Sequence, residues 1–181
     1  TGVALGLLDA GLADVRVVSS GGSVTDINDD TVADPDTHVA NIDAANAQIS
    51  AVAGSIGAAL VDNTQGAIET TVTTLTMASA GNQYVTELAA GTDLTIDEVV
   101  FAGVNRIGMD SLTTAATGAA TLSDAVTTVG SIKIQTEDGI LTINEGDVDD
   151  VGVSAASDVL LLAGLGAGDN VVINADVNAG G

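Results

Sequence analysis

Cysteine is absent from the 181 residues, and with it go disulfides, thiolate nucleophiles and Cys-ligated metals. Tryptophan is absent too, and Phe101 and Tyr84 are the whole aromatic complement. A core without aromatics must be filled by Val, Ile, Leu and Ala, which suits a thin, repetitive interior better than a wide globular one. Basic residues number 3 against 25 acids, for a formal charge of −22. That balance excludes ordinary nucleic-acid binding, which needs Lys and Arg to neutralise phosphates. It also disfavours anionic membrane surfaces. The longest apolar stretch, Val159 to Gly168, is too short to cross a bilayer as a helix. Pro35 is the single proline, so little interrupts backbone ladders.

What is present points to a folded chain. Hydrophobic residues make up 46%, which separates it from disordered acidic sequences. The 22 glycines fit many tight turns. Ser131 to Thr136 alternates, as does Ile140 to Asn144 after the turn Glu137-Asp138-Gly139. Such a pair reads either as a hairpin or as successive faces of one solenoid coil. Similar runs are Asp14–Val18, Thr71–Met77, Gln83–Glu87, Leu94–Ile96, Ala120–Leu122, Val151–Ser154, Asp158–Leu162 and Asn170–Asn174. The turns rhyme: Ser20-Gly21-Gly22-Ser23, Ala80-Gly81-Asn82, Ala90-Gly91-Thr92-Asp93 and Ala167-Gly168-Asp169-Asn170 each precede an apolar run. Short strands with repeated turns predict an all-β parallel β-solenoid over 1–181 as one segment. At roughly 20–25 residues per coil, this is roughly seven to nine coils of about 4.8 Å each. Near 36–60 a helix competes, because Val39, Ile42, Ile49, Val52, Ile56 and Leu60 approach heptad spacing. Gly54 and Gly57 weigh against it at about 1 kcal/mol each, and two strands, Asn41–Ala44 and Ala47–Val52, are the preferred reading.

Three stretches carry a resemblance: Ala47 to Gly57 followed by Gly66 to Thr76; Ser131 to Glu145; and Asp158 to Gly164 with Asn170 to Val177. Their pattern, covering most of the chain, resembles the β-strand-repeat regions of giant bacterial surface proteins, in the style of filamentous haemagglutinin. The resemblance implies a right-handed parallel β-helix on the bacterial exterior, serving as a stalk, adhesin shaft or filament. It implies no catalytic residues.

Chemistry is sparse. His38 is the only histidine, so paired-histidine metal sites are impossible, and no GxSxG elbow marks a nucleophile. His38 is expected to be a solvated residue beside an acidic loop. Arg16, Arg106 and Lys133 lie far apart in sequence, and carbohydrate cleavage also lacks aromatic platforms. The chain is therefore expected to be no enzyme and to need no cofactor. Calcium is the one ligand class to weigh. Asp26, Asn28 and Asp30 open like an EF-hand loop, but Thr31 and Thr37 replace its glycine and final glutamate. Asp147, Asp149 and Asp150 form a second acidic cluster. Both are weak calcium candidates, with a solvated, solubilising loop as the plainer reading. Asn144, Asn170 and Asn174 are expected to hydrogen-bond up the stack at equivalent corners.

Thr1 reads as the start of a processed product or fragment, and neither terminus looks like the polar cap that a solenoid needs. The expected partners are other copies or neighbouring segments, stacked end to end in an extracellular fibre. The rival readings are a flagellin-like filament subunit using 36–60 as a coiled-coil face, and an adhesin module binding glycan or protein. Ile132, Ile134, Leu141, Ile143, Leu160, Leu162, Val171 and Ile173 are expected to point into one core.

Overall fold

The structure, a computed structural model, describes residues 2–28, 39–58, 66–88, 93–107, 113–164 and 166–180. These form an all-β arrangement of parallel sheets built in successive rungs. The first rung is β1 (Val3–Leu5), β2 (Leu8–Asp9) and β3 (Val15–Ser19). The second is β4 (Val24–Asp26), β5 (Ile42–Asp43) and β6 (Asn46–Ala51), which pair in parallel with β1, β2 and β3 in turn. The third places Ile56 on Val24, then β7 (Ile68–Thr71) on β5 and β8 (Thr74–Ser79) on β6.

From the fourth rung the second face is split. β9 (Gln83–Glu87) stacks on β7, and β10 (Leu94–Ile96) on the first part of β8. An antiparallel arm then leaves the stack, made of β11 (Val99–Phe101), β12 (Val104–Ile107), β13 (Thr113–Thr117) and β14 (Ala120–Leu122). The chain returns as β15 (Ala125–Thr127) on the second part of β8. The fifth rung is β16 (Ile132–Thr136), β17 (Leu141–Ile143) and β18 (Val151–Ala155), stacked on β9, β10 and β15. The sixth is β19 (Val159–Leu162), β20 (Val171–Ile173) and β21 (Asp176–Ala179), stacked on β16, β17 and β18. The described residues thus trace six rungs, below the expected seven to nine. The arm and the long connections take up chain that a uniform repeat would spend on further coils.

Parallel register, broken in the stack only by a shift between Val151 and Val153 where β18 pairs with β21, puts like positions in vertical columns, since side chains alternate with period two. One column runs Val15–Ala47–Leu75–Ile96–Ile143–Ile173. A second runs Val17–Ile49–Met77–Ala125–Val153–Val177. On the facing sheet, Val3, Val24, Ile56, Gln83, Ile132 and Val159 stack. Ile68, Val85, Ile134 and Leu161 form the next column. Nearly all the apolar members between the terminal rungs are buried in one hydrophobic cluster. Each fully buried Ile or Leu contributes about 1.5–3 kcal/mol.

The corner ahead of each first strand is held by side chains that reach one rung down. Ser23 Oγ accepts from Ser55 N, Ser55 Oγ from Asn82 N, Asn82 Oδ1 from Ser131 N, and Ser131 Oγ from Asp158 N. Beside this ladder the backbones come too close for a side chain. A Cβ on Gly54 would meet Gly22 C at 2.5 Å, and one on Gly130 would meet Asn82 N at 2.5 Å. The rhyming Gly-Ser and Gly-Asn turns of the sequence are this corner.

Two alternatives left open by the sequence are decided and one expectation changes. The helix considered near 36–60 does not form in its described part: residues 39–58 carry β5, β6 and turns, with Gly57 at φ +66°. Ile42, Ala47 and Ile49 satisfy strand alternation, and Gly57 takes a conformation that no helix tolerates. Residues 36–38 and 59–60 lie outside the described set. Ile132, Ile134, Leu141 and Ile143 are buried, but Leu160 is 48% exposed and Leu162 is only half-buried. Val159 and Leu161 take the inward positions over Ile132 and Ile134, so Val159 to Leu162 faces one residue out of the expected phase. Val171 and Ile173 do stand in the inward columns, yet are 36% and 55% exposed because no strand follows on top of them among the described residues. The runs around Glu137-Asp138-Gly139 are not a hairpin: β16 and β17 belong to different sheets.

The register makes a direct comparison available. Ile134→Ala should cost about 2–5 kcal/mol, whereas Leu160→Ala should stay within about 0.5 kcal/mol, both read from urea denaturation. Comparable losses at the two positions would mean that β19 faces the other way.

Candidate functional site

The first acidic candidate is engaged in loop closure. Asp26 Oδ1 accepts from Asn28 N and from Asn41 Nδ2, each at 2.7 Å, and Asn28 Nδ2 donates to Val39 O at 2.8 Å. Asp30 and His38 lie outside the described residues. Asn41 is itself fully buried and accepts from Glu69 N through Oδ1, so Asp26 helps to satisfy a polar corner.

The second candidate is reorganised by the fold. Asp147 and Asp149 are joined by Asp124, and one carboxylate oxygen of each lies within 4.8 Å of the others. Asp124 sits where the arm rejoins the stack, just before β15, whereas Asp147 and Asp149 precede β18 on the next rung. Gly146 makes the approach possible, because a Cβ there would meet Glu98 N and Ser123 C at 2.8 Å. Asp147 Oδ2 accepts from Ser123 Oγ, while Asp147 and Asp149 also cap their own loop at Asp149 N and Val151 N. Asp150 stands apart: it takes φ +65° and its carbonyl accepts from Asp176 N at 2.7 Å.

Partial burial and the charges of Asp147 and Asp149 push the Asp124 carboxyl up to about 6, against a backbone bond from Gly146. Three carboxylates held this close offer a hard divalent cation oxygen ligands from two successive rungs. Sequence alone linked Asp147 with Asp149. Asp124 lies one coil before them and stands alone in its own turn, and the pairing of Ala125 with Val153 brings it near.

A second perturbed group lies inside the stack. Glu87 is fully buried on the column Ile42–Thr70–Glu87–Thr136. Burial raises it to about 8 although Thr70 Oγ1 donates to it at 2.6 Å and Val72 N at 2.9 Å. The neighbouring Asp43 adds to the rise. At neutral pH this residue is largely a neutral acid bridging the bend between β7 and β8.

Of the amides expected to stack, Asn174 Nδ2 donates to Asn144 Oδ1 at 2.9 Å, and Asn144 Nδ2 to Asp97 Oδ2 at 2.9 Å. Asn170 turns away to Gly168 O. The arm lies over the outer face of the same sheet, where the fully buried Gln48 donates through Nε2 to Val99 O and Ala120 O. No family model, curated protein or solved structure matches the chain.

Both carboxyls with raised values bind protons more tightly folded than unfolded, so their contribution to stability is present at low pH and lost as pH rises. For Asp124 the loss runs from about 4 to about 6, and for Glu87 from about 4.5 to about 8. The thermal midpoint should therefore fall between pH 5 and pH 8.5, and Asp124→Asn should flatten the acidic part of that fall. A midpoint insensitive to Asp124→Asn below pH 6 would contradict this assignment. Removal of divalent cations with EDTA should leave the far-UV circular dichroism spectrum intact, because the apolar columns form without ions. Added calcium at pH 7 should raise the midpoint in the native chain and not in Asp124→Asn.

Proposed function

We propose that the chain is a right-handed parallel β-helix serving as a structural segment of an extracellular or bacterial cell-surface fibre, stalk or adhesin shaft. It stacks end to end with neighbouring segments and has no catalytic role. The observation that carries this reading is the pair of apolar columns, Val15 to Ile173 and Val17 to Val177, that run through all six rungs. An enzyme spends its fold on positioning a cleft. Here the residues are spent on repetition.

A general rule supports the right hand: parallel strands joined within one sheet cross over right-handed in about 98% of cases. The composition agrees with an exterior location, since a charge of −22 keeps an apolar stack dispersed without help from other proteins. Stacked rungs also suit a shaft, because length can grow without any change in the width of the core.

An antiserum raised against the folded chain should label intact, unpermeabilised cells of the source organism and decorate extended structures in electron micrographs. Labelling only after lysis would overturn the reading.

A further inference from the structure

We infer that the base of the arm, β11 paired with β14, is a latched flap that lifts from the outer face of the stack and reseats on it while the six rungs stay folded. The inference goes beyond the fibre reading and does not depend on it.

The register shows how the arm is inserted. On β8, Leu75 pairs with Ile96 and Met77 with Ala125, so a single residue, Thr76, faces the whole excursion from Asp97 to Asp124. In the first three rungs the same two inward columns are joined by one residue each, Arg16, Gln48 and Thr76. One residue would likewise join Ile96 to Ala125 in the fourth rung. The chain sends the arm through that position instead, and the columns continue above it at Ile143 and Val153.

The arm stands outside the core. None of its described residues belongs to the hydrophobic cluster that fills the stack. β11 lies against β6 and β8, and β14 against β8. Alternation turns Val99 and Phe101 toward the sheet, with Leu122 and Ala120 opposite them, and leaves Val100 and Thr121 exposed. Of the described side chains of the arm, Val99 alone is fully covered.

The face beneath is polar. Gln48 and Thr76 point outward, since Ala47, Ile49, Leu75 and Met77 on either side of them belong to the core. Both are buried under the arm, where Thr76 Oγ1 donates to Asp124 O at 3.2 Å. Gln48 is the latch: its Nε2 donates to Val99 O on one strand of the flap and to Ala120 O on the other. Its Oε1 is buried with no partner among the described residues, a desolvation cost that lifting removes. An apolar seat would resist exposure in proportion to its area, whereas these side chains take up water. A unit with so few buried apolar contacts opens well below the free energy of global unfolding. Lifting bares Val99, Phe101 and Leu122 and leaves the columns of the stack undisturbed.

Hydrogen exchange of the whole chain at pH 7, followed residue by residue by NMR, tests this. The paired amides of β11 and β14 should be protected, yet exchange about a hundredfold faster than the slowest amides of β8 and β16. Gln48→Ala should speed the β11 and β14 amides about tenfold more and leave β16 unchanged. Arm amides that exchange no faster than β8 would mean that arm and stack open together, and would overturn the proposal. Arm amides without protection would overturn it as well, since no closed state would exist. So would a Gln48→Ala chain in which β16 speeds up as much as β11. A chain with one threonine in place of residues 97–124 should fold cooperatively, with the far-UV circular dichroism of β-structure. If it does not fold, the arm is part of the stack and the flap is excluded.

Discussion

In-register parallel stacking is the constraint on which everything else depends. A backbone that places residue upon residue at one strand spacing leaves each inward side chain two neighbours fixed in kind and position. Width is then set once, and all rungs must share it. This explains the nearly complete exclusion of aromatics: a ring wide enough to fill one rung would have no counterpart above and below. Tyr84 and Phe101 both lie off the inward columns, Tyr84 on the outer face beside Lys133 and Phe101 on the projecting arm. Within a column, small aliphatic residues stack between larger ones, as Ala47 does between Val15 and Leu75.

The same constraint governs the polar residues. A buried donor or acceptor must find its partner within its own rung or the next one, since the interior holds nothing else. Ser and Asn at the corner meet this requirement with a side chain short enough to reach one backbone amide. Glu87 meets it differently. It turns its carboxyl to Thr70 and to Val72 N, at the bend where β7 gives way to β8, and stays protonated because burial opposes the charge. A bend inside a stack breaks ladder hydrogen bonds, and a long polar side chain is the available repair.

Much of this was readable beforehand. Alternation in Ile132–Thr136 and Leu141–Ile143, and the Gly-Ser and Gly-Asn turns, are local signals that carry strands and corners directly. Val159 to Leu162 was not readable, because four consecutive apolar residues contain no alternation and only the register over β16 decides which pair faces in. The arm from β11 to β14 was missed for a related reason: its residues are strand-like, and nothing local distinguishes a strand inside the stack from one that leaves it. Asp124 was missed for another reason. It stands alone in its own turn, one coil before Asp147 and Asp149, and only the register of β15 on β18 makes them neighbours.

In the fibre proposed above, the charge of −22 acts on the assembly more than on the fold. The core columns carry almost no ionised group, so the acids sit where they oppose sideways contact between sheets. Lateral edge-to-edge and face-to-face association is the usual failure of parallel β-stacks. Repulsion spread along the whole flank grows with the length of any sideways contact, whereas an axial contact meets only the charges near one end. An acidic surface on an apolar stack therefore selects growth along the axis over growth across it. The three-carboxylate corner at Asp124, Asp147 and Asp149 belongs to that flank, so a bound cation there would locally relax the repulsion and stiffen two rungs at once.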